Sequence, residues 1–105
     1  MFTRFDNIEP RELISGFWVR FIHTPSQTFA LFEIDKGARL PEHSHMHEQV
    51  SQVLEGEFEL TIEGVSKVCK SGDVAVIASN SLHSGTALTS CKILDTFSPA
   101  REDYK

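Results

Sequence analysis

Gly56, Gly64 and Gly72 stand eight residues apart, and Asn80 continues the interval. Glycine and asparagine take up positive φ at least steric cost, so this ladder cuts the middle of the chain into short segments joined by tight turns. Each interval has room for one strand and a turn but not for a helix of ordinary length. The residues between the glycines agree. Phe58, Leu60 and Ile62 alternate with Glu57, Glu59, Thr61 and Glu63, the period of a half-buried strand. Similar runs occur at Phe17 to Ile22, Thr28 to Ile34, Val65 to Cys69, Asp73 to Ile77, His83 to Leu88 and Lys92 to Phe97. Short strands at this spacing predict an antiparallel all-β sandwich or barrel. Helical periodicity surfaces only at Pro10 to Ile14, and a last turn is predicted to start at Ser98-Pro99, with Ser as N-cap.

The 105 residues, 40% of them apolar, suffice for one modest core, and nothing resembles a linker, so residues 1–105 are read as a single domain. The formal net charge is −5 with no basic run, which argues against nucleic acid or an anionic membrane as partner. No apolar stretch approaches the roughly twenty residues of a membrane helix, and no signal core follows Met1-Phe2-Thr3-Arg4. A soluble cytoplasmic protein is expected. Cys69 and Cys91 lie in strand-like apolar runs and read as buried reduced thiols.

The chemistry concentrates in Pro41-Glu42-His43-Ser44-His45-Met46-His47-Glu48-Gln49. On a strand His43 and His45 share a face, and two adjacent imidazoles suit a divalent cation. His83 is a distant third, on a predicted strand after the Gly72 turn. His47 shares their parity and reads either as a contact at the rim or as a solvated loop residue; His23 reads as loop. Imidazole must be neutral to coordinate, so metal binding should weaken as the pH falls through roughly 6.

These spacings resemble the two motifs of the cupin superfamily. Gly37, His43, His45, Gln49 and Gly56 fit the first, with Gln49 where an acid is usual. Gly72 and His83 fit the second, in which Ala78, Asn80 and Ala87 replace the usual Pro, Gly and Asn. The resemblance covers roughly residues 30 to 97. It implies a small antiparallel jelly-roll β-barrel holding a divalent metal on His43, His45, Gln49 and His83. Zinc, nickel, iron and manganese all remain open. A neutral amide in place of a carboxylate leaves the cation's charge uncompensated, which favours an anionic ligand.

Asp95 lies between Ile93 and Phe97 on one strand face, an odd place for an acid if that face is buried. It reads either as a cavity carboxylate with a raised pKa or as a solvent-facing residue. Arg101 reads either as a fork for a substrate carboxylate or as a surface ion pair with Glu102 or Asp103. The phrase from His43 to Gln49, together with Asp95-Thr96-Phe97-Ser98-Pro99-Ala100-Arg101-Glu102-Asp103, resembles the pectin-degradation cupins that linearise unsaturated uronate sugars. That resemblance implies a small anionic sugar substrate from pectin or alginate. It also implies that Asp95, Phe97 and Arg101 line the site, Asp95 and Arg101 as catalytic groups and Phe97 and Arg101 as substrate contacts. The alternatives are a cupin that binds sugar or metal without turnover, and a metal-dependent dioxygenase. A homodimer is expected, with the strand Phe17 to Ile22 as a partner edge.

Overall fold

The four rungs of the glycine ladder all lie at positive φ in the computed structural model, which describes all 105 residues: 86° at Gly56, 78° at Gly64, 93° at Gly72 and 65° at Asn80. They frame ten strands: β1 (Arg11–Ile14), β2 (Phe17–His23), β3 (Thr28–Ile34), β4 (Arg39–His43), β5 (Glu48–Glu55), β6 (Phe58–Ile62), β7 (Val65–Cys69), β8 (Val74–Ile77), β9 (His83–Ala87) and β10 (Cys91–Ser98). One sheet has the order β1-β2-β3-β10-β5-β8 and the other β4-β9-β6-β7, every pair antiparallel. The two sheets face each other as a jelly roll, but hydrogen bonds do not close them into a continuous barrel.

Alternation decides what lies between the sheets. Along β10, Cys91, Ile93, Asp95 and Phe97 point inward and are buried, while the intervening residues are half-buried. Phe17 from one sheet meets Phe58 from the other edge-to-face, with ring centres 6.4 Å apart, and Phe32 at 6.2 Å. Gly85 on β9 permits this packing, because a Cβ there would stand 2.2 Å from the Phe58 ring. Cys69 and Cys91 are buried free thiols, as expected.

Four local expectations are corrected. Pro10 to Ile14 holds no helix; Arg11–Ile14 forms β1, whose ladder with β2 outweighs a weak local periodicity. Because β1 pairs with Phe17 to Val19, the strand starting at Phe17 is not the edge of its sheet, and the edge strands are β1, β8, β4 and β7. The final turn does not start at Ser98-Pro99: Ser98 still pairs with Glu48, and a 3-10 turn forms only at Glu102–Tyr104. His23 is not in a loop but ends β2, where its Nδ1 lies 2.8 Å from Thr28 Oγ1.

Candidate metal centre

His43 and His83 lie opposite each other on β4 and β9. A regular strand would not put them there. Between Leu40 and His43 β4 advances three residues while β9, from Gly85 to His83, advances two. The extra residue is a bulge at Pro41-Glu42, and it turns His43 to the face that Leu40 occupies. Proline is tolerated here because β4 is an edge strand. The shared pleat expected for His43 and His45 is therefore not what brings them together. β4 ends at His43, and His45 lies in the loop before β5. That loop is tied to the one before β9: the Asn80 N–H donates to the His45 carbonyl at 2.8 Å, and the Ser79 hydroxyl donates to the Met46 carbonyl.

The three rings form one cluster. Ring centres lie 4.2 Å apart for His43 and His83, 5.0 Å for His45 and His83, and 5.6 Å for His43 and His45. One ring nitrogen from each lies within 4.8 Å of the other two. Every Nδ1 faces a backbone carbonyl: Pro41 for His43 at 2.9 Å, His47 for His45 at 3.0 Å, and Ser81 for His83 at 2.9 Å. A carbonyl accepts only from N–H, so the proton sits on Nδ1 and each Nε2 carries a free lone pair. His83 Nε2 is buried with no hydrogen-bond partner. His45 Nε2 faces Gln49 Oε1 at 3.1 Å, one lone pair opposite another. An orphaned acceptor and two opposed acceptors are what a cation would satisfy, so this donor set fits a divalent metal. Desolvation by burial is the largest influence on His45 and brings its pKa down to about 4, with Arg101 and His83 adding repulsion. Burial likewise lowers His83. The His45 ring therefore stays neutral well below the pH of about 6 expected from an unperturbed imidazole.

Behind Gln49 runs a buried polar chain. Gln49 Nε2 donates to Ser51 Oγ at 3.0 Å, and Ser51 Oγ donates to Asp95 Oδ1 in a short hydrogen bond. The strand register puts Ser51 opposite Asp95 and Gln49 opposite Phe97. Asp95 is buried rather than solvent-facing, and desolvation raises its pKa to about 6, against the opposing hydrogen bonds from Ser51 and Gln49 and the charge of Arg101. The C-terminal tail closes the end of the cavity. The Arg101 N–H donates to Thr28 Oγ1 at 2.8 Å, and the guanidinium lies over the rings of Phe97, at 4.8 Å, and Tyr104, at 4.1 Å. Arg101 is only 7% exposed, yet it pairs with the exposed Asp103 through Nε at 3.0 Å and Nη2 at 2.8 Å. So Arg101 has its ion pair with Asp103, but its own side chain is buried. His43, His45, Gln49, Ser51, His83, Asp95, Phe97, Arg101 and Tyr104 line one cavity.

Residues 30–97 match the cupin-domain family. The chain belongs to the cupins. Among its relatives is the pectin degradation protein KdgF of Dickeya dadantii, 39% identical over 71 residues, which are 66% of this chain and 64% of that protein. Among solved structures, an RmlC-like cupin from Shewanella frigidimarina superposes with a TM-score of 0.94 at 33% identity, covering 99% of this chain and 95% of the other. KdgF from a Halomonas species also gives 0.94, at 28% identity, over 100% and 98% of the two chains.

Two residues of this cupin's cavity escape the sequence reading. Ser51 carried a signal, since it shares strand parity with Gln49 and is polar at an inward position. Tyr104 carried none; it reaches the cavity because the tail folds back, with its ring 4.8 Å from that of Phe21 and its carbonyl bound by Arg11. His47 sits in the loop with its ring centre 5.6 Å from that of His45, and its backbone carbonyl is what orients His45.

Proposed function

We propose that this cupin converts 4,5-unsaturated monouronates, released from pectin or alginate, to their linear keto form. The observation that carries the reading is a buried carboxylate and a buried guanidinium, Asp95 and Arg101, facing the same cavity as three imidazoles with free lone pairs. The 39% identity to a pectin degradation protein points to the same substrate class. His43, His45, His83 and Gln49 are the residues that would hold a divalent ion, zinc, nickel, iron or manganese, and bound there it would supply Lewis-acid polarisation of a substrate oxygen. Arg101 orients the substrate carboxylate through the donors that Asp103 does not take. Phe97 forms an apolar wall beside His45, with ring centres 5.7 Å apart, and sets the plane of the sugar. Asp95 moves the proton. The C1 hydroxyl loses one, the bond from C1 to the ring oxygen breaks, C4 gains one, and the enol ether becomes a ketone with no net change in atoms.

Asp95→Asn is expected to lower kcat by about 10²- to 10⁴-fold while leaving substrate binding nearly intact. Loss of ultraviolet absorbance from the conjugated double bond follows the reaction, with unsaturated galacturonate and the mannuronate- or guluronate-derived sugar as separate substrates. Equal rates for wild type and variant would remove Asp95 from the chemistry. Saturable binding without product would leave a binding module, and oxygen uptake with iron(II) would indicate a dioxygenase.

The same reading includes a homodimer in a reducing, cytoplasmic setting. Edge strand β8 has free backbone groups, and Val74 and Val76 on it are 58% and 65% exposed, which suits a second copy. Val76→Lys should then shift the mass seen by light scattering to that of the monomer. No helix of the structure is long and apolar enough to cross a membrane.

A further inference from the structure

The amide of Gln49 has two ends of similar shape and opposite chemistry. Oxygen accepts and NH₂ donates, and rotation by half a turn exchanges them. Only the oxygen end can share a cation with the three imidazoles. Nothing in the rings selects that end, because His45 Nε2 has a lone pair and would accept from the NH₂ end. The selection must come from behind. There Ser51 Oγ donates its one proton to the Asp95 carboxylate, which can only accept. The Ser51 oxygen is thereby left as an acceptor, and it accepts a hydrogen bond from Gln49 Nε2 at 3.0 Å. We propose that Ser51 is a positioning residue, which fixes the Gln49 amide with its oxygen toward the imidazole cluster and so raises the affinity of the site for a divalent cation.

Three features strengthen the assignment. Gln49, Ser51 and Asp95 are 6%, 9% and 8% exposed, so water does not readily replace the hydroxyl. Ser51 and Asp95 are paired across β5 and β10, neither of them an edge strand of the larger sheet, which fixes their separation. The relay also has a logic specific to glutamine, since a glutamate at position 49 would present an acceptor whichever way it turned. Ser51 thus supplies an orientation that the amide, unlike a carboxylate, cannot supply for itself. The inference rests on the metal reading above.

The test titrates metal-free protein with zinc ion in competition with a chromophoric chelator. Ser51→Ala is expected to weaken zinc binding by about ten- to a hundred-fold, with the thermal unfolding midpoint of the metal-free protein showing that the fold persists. Ser51→Thr keeps the hydroxyl and is expected to keep the affinity. Ser51→Val has the shape of threonine without the hydroxyl, so the Thr/Val pair isolates that group even if Ser51→Ala does not fold. In a Gln49→Glu background, loss of the hydroxyl is expected to cost little. Wild-type affinity in Ser51→Ala or Ser51→Val, or an equal loss with and without the Gln49→Glu substitution, overturns the proposal while leaving the metal reading standing. Wild-type protein that binds no zinc, nickel, iron or manganese overturns both.

Discussion

The two ends of the space between the sheets are chemically opposite. Along β10 the inward row runs from Cys91 and Ile93 to Asp95 and Phe97; along β5 it runs from Val53 through Ser51 to Gln49; along β9, from Ala87 and Gly85 to His83. The first residues of each row join the Phe17, Phe32 and Phe58 core, which is stabilised by removing apolar surface from water. Phe97 still packs with that core, but Gln49, Ser51, His83 and Asp95 bury polar groups that must be satisfied one by one. Gln49, Ser51 and Asp95 satisfy each other, while His83 keeps an orphaned nitrogen. One end of the sandwich therefore holds the fold together, and the other is held by it in an arrangement that makes sense only with something bound.

Substitutions at the two ends should separate these roles. The largest effect is expected from His83→Ala, which takes a ligand from the cluster: elemental analysis should find the bound divalent ion lost, with the metal-free fold retained. Metal content equal to wild type would break the contrast. Phe58→Ala should do the converse, costing about 3–5 kcal/mol of stability in urea unfolding while the folded fraction still binds metal at wild-type affinity. Gly85→Ala is expected to cost less, about 1–3 kcal/mol, because the new methyl must displace the Phe58 ring. The smallest effect concerns pH. His45 is neutral in the native metal-free protein until about pH 4, whereas the unfolded chain takes up that proton near its ordinary value of 6.5. The unfolded state therefore binds more protons in between, and the His45 contribution to stability, full above about 6.5, declines as pH falls to about 4. Partial exposure of the ring damps it. Urea midpoints of wild type and His45→Gln across that range should differ in slope, and parallel curves would show that His45 does not carry the dependence.

Much of the architecture was legible because it is local. Positive φ at Gly56, Gly64, Gly72 and Asn80, and a period of two between them, are properties of neighbouring residues and survive any tertiary arrangement. The Pro10 to Ile14 segment misled for the same reason in reverse: its weak helical period is local, but the ladder to β2 that decides its conformation is not. At the site, the residue types were legible and the reason they meet was not. His43 and His45 are two apart, yet a bulge and a loop, rather than a shared pleat, aim them at one point.

By itself the sequence determined the all-β class, the turn positions, the strand face that Asp95 shares with Ile93 and Phe97 and the chemical kind of the candidate ligands, because these follow from backbone sterics, side-chain alternation and donor type. Only the tertiary structure decided that Asp95 is buried, that Ser51 stands between it and Gln49, and that Tyr104 and Asp103 flank Arg101. Those facts depend on contacts between residues such as Ser51 and Asp95, 44 positions apart, which no local rule specifies until the sheets have formed.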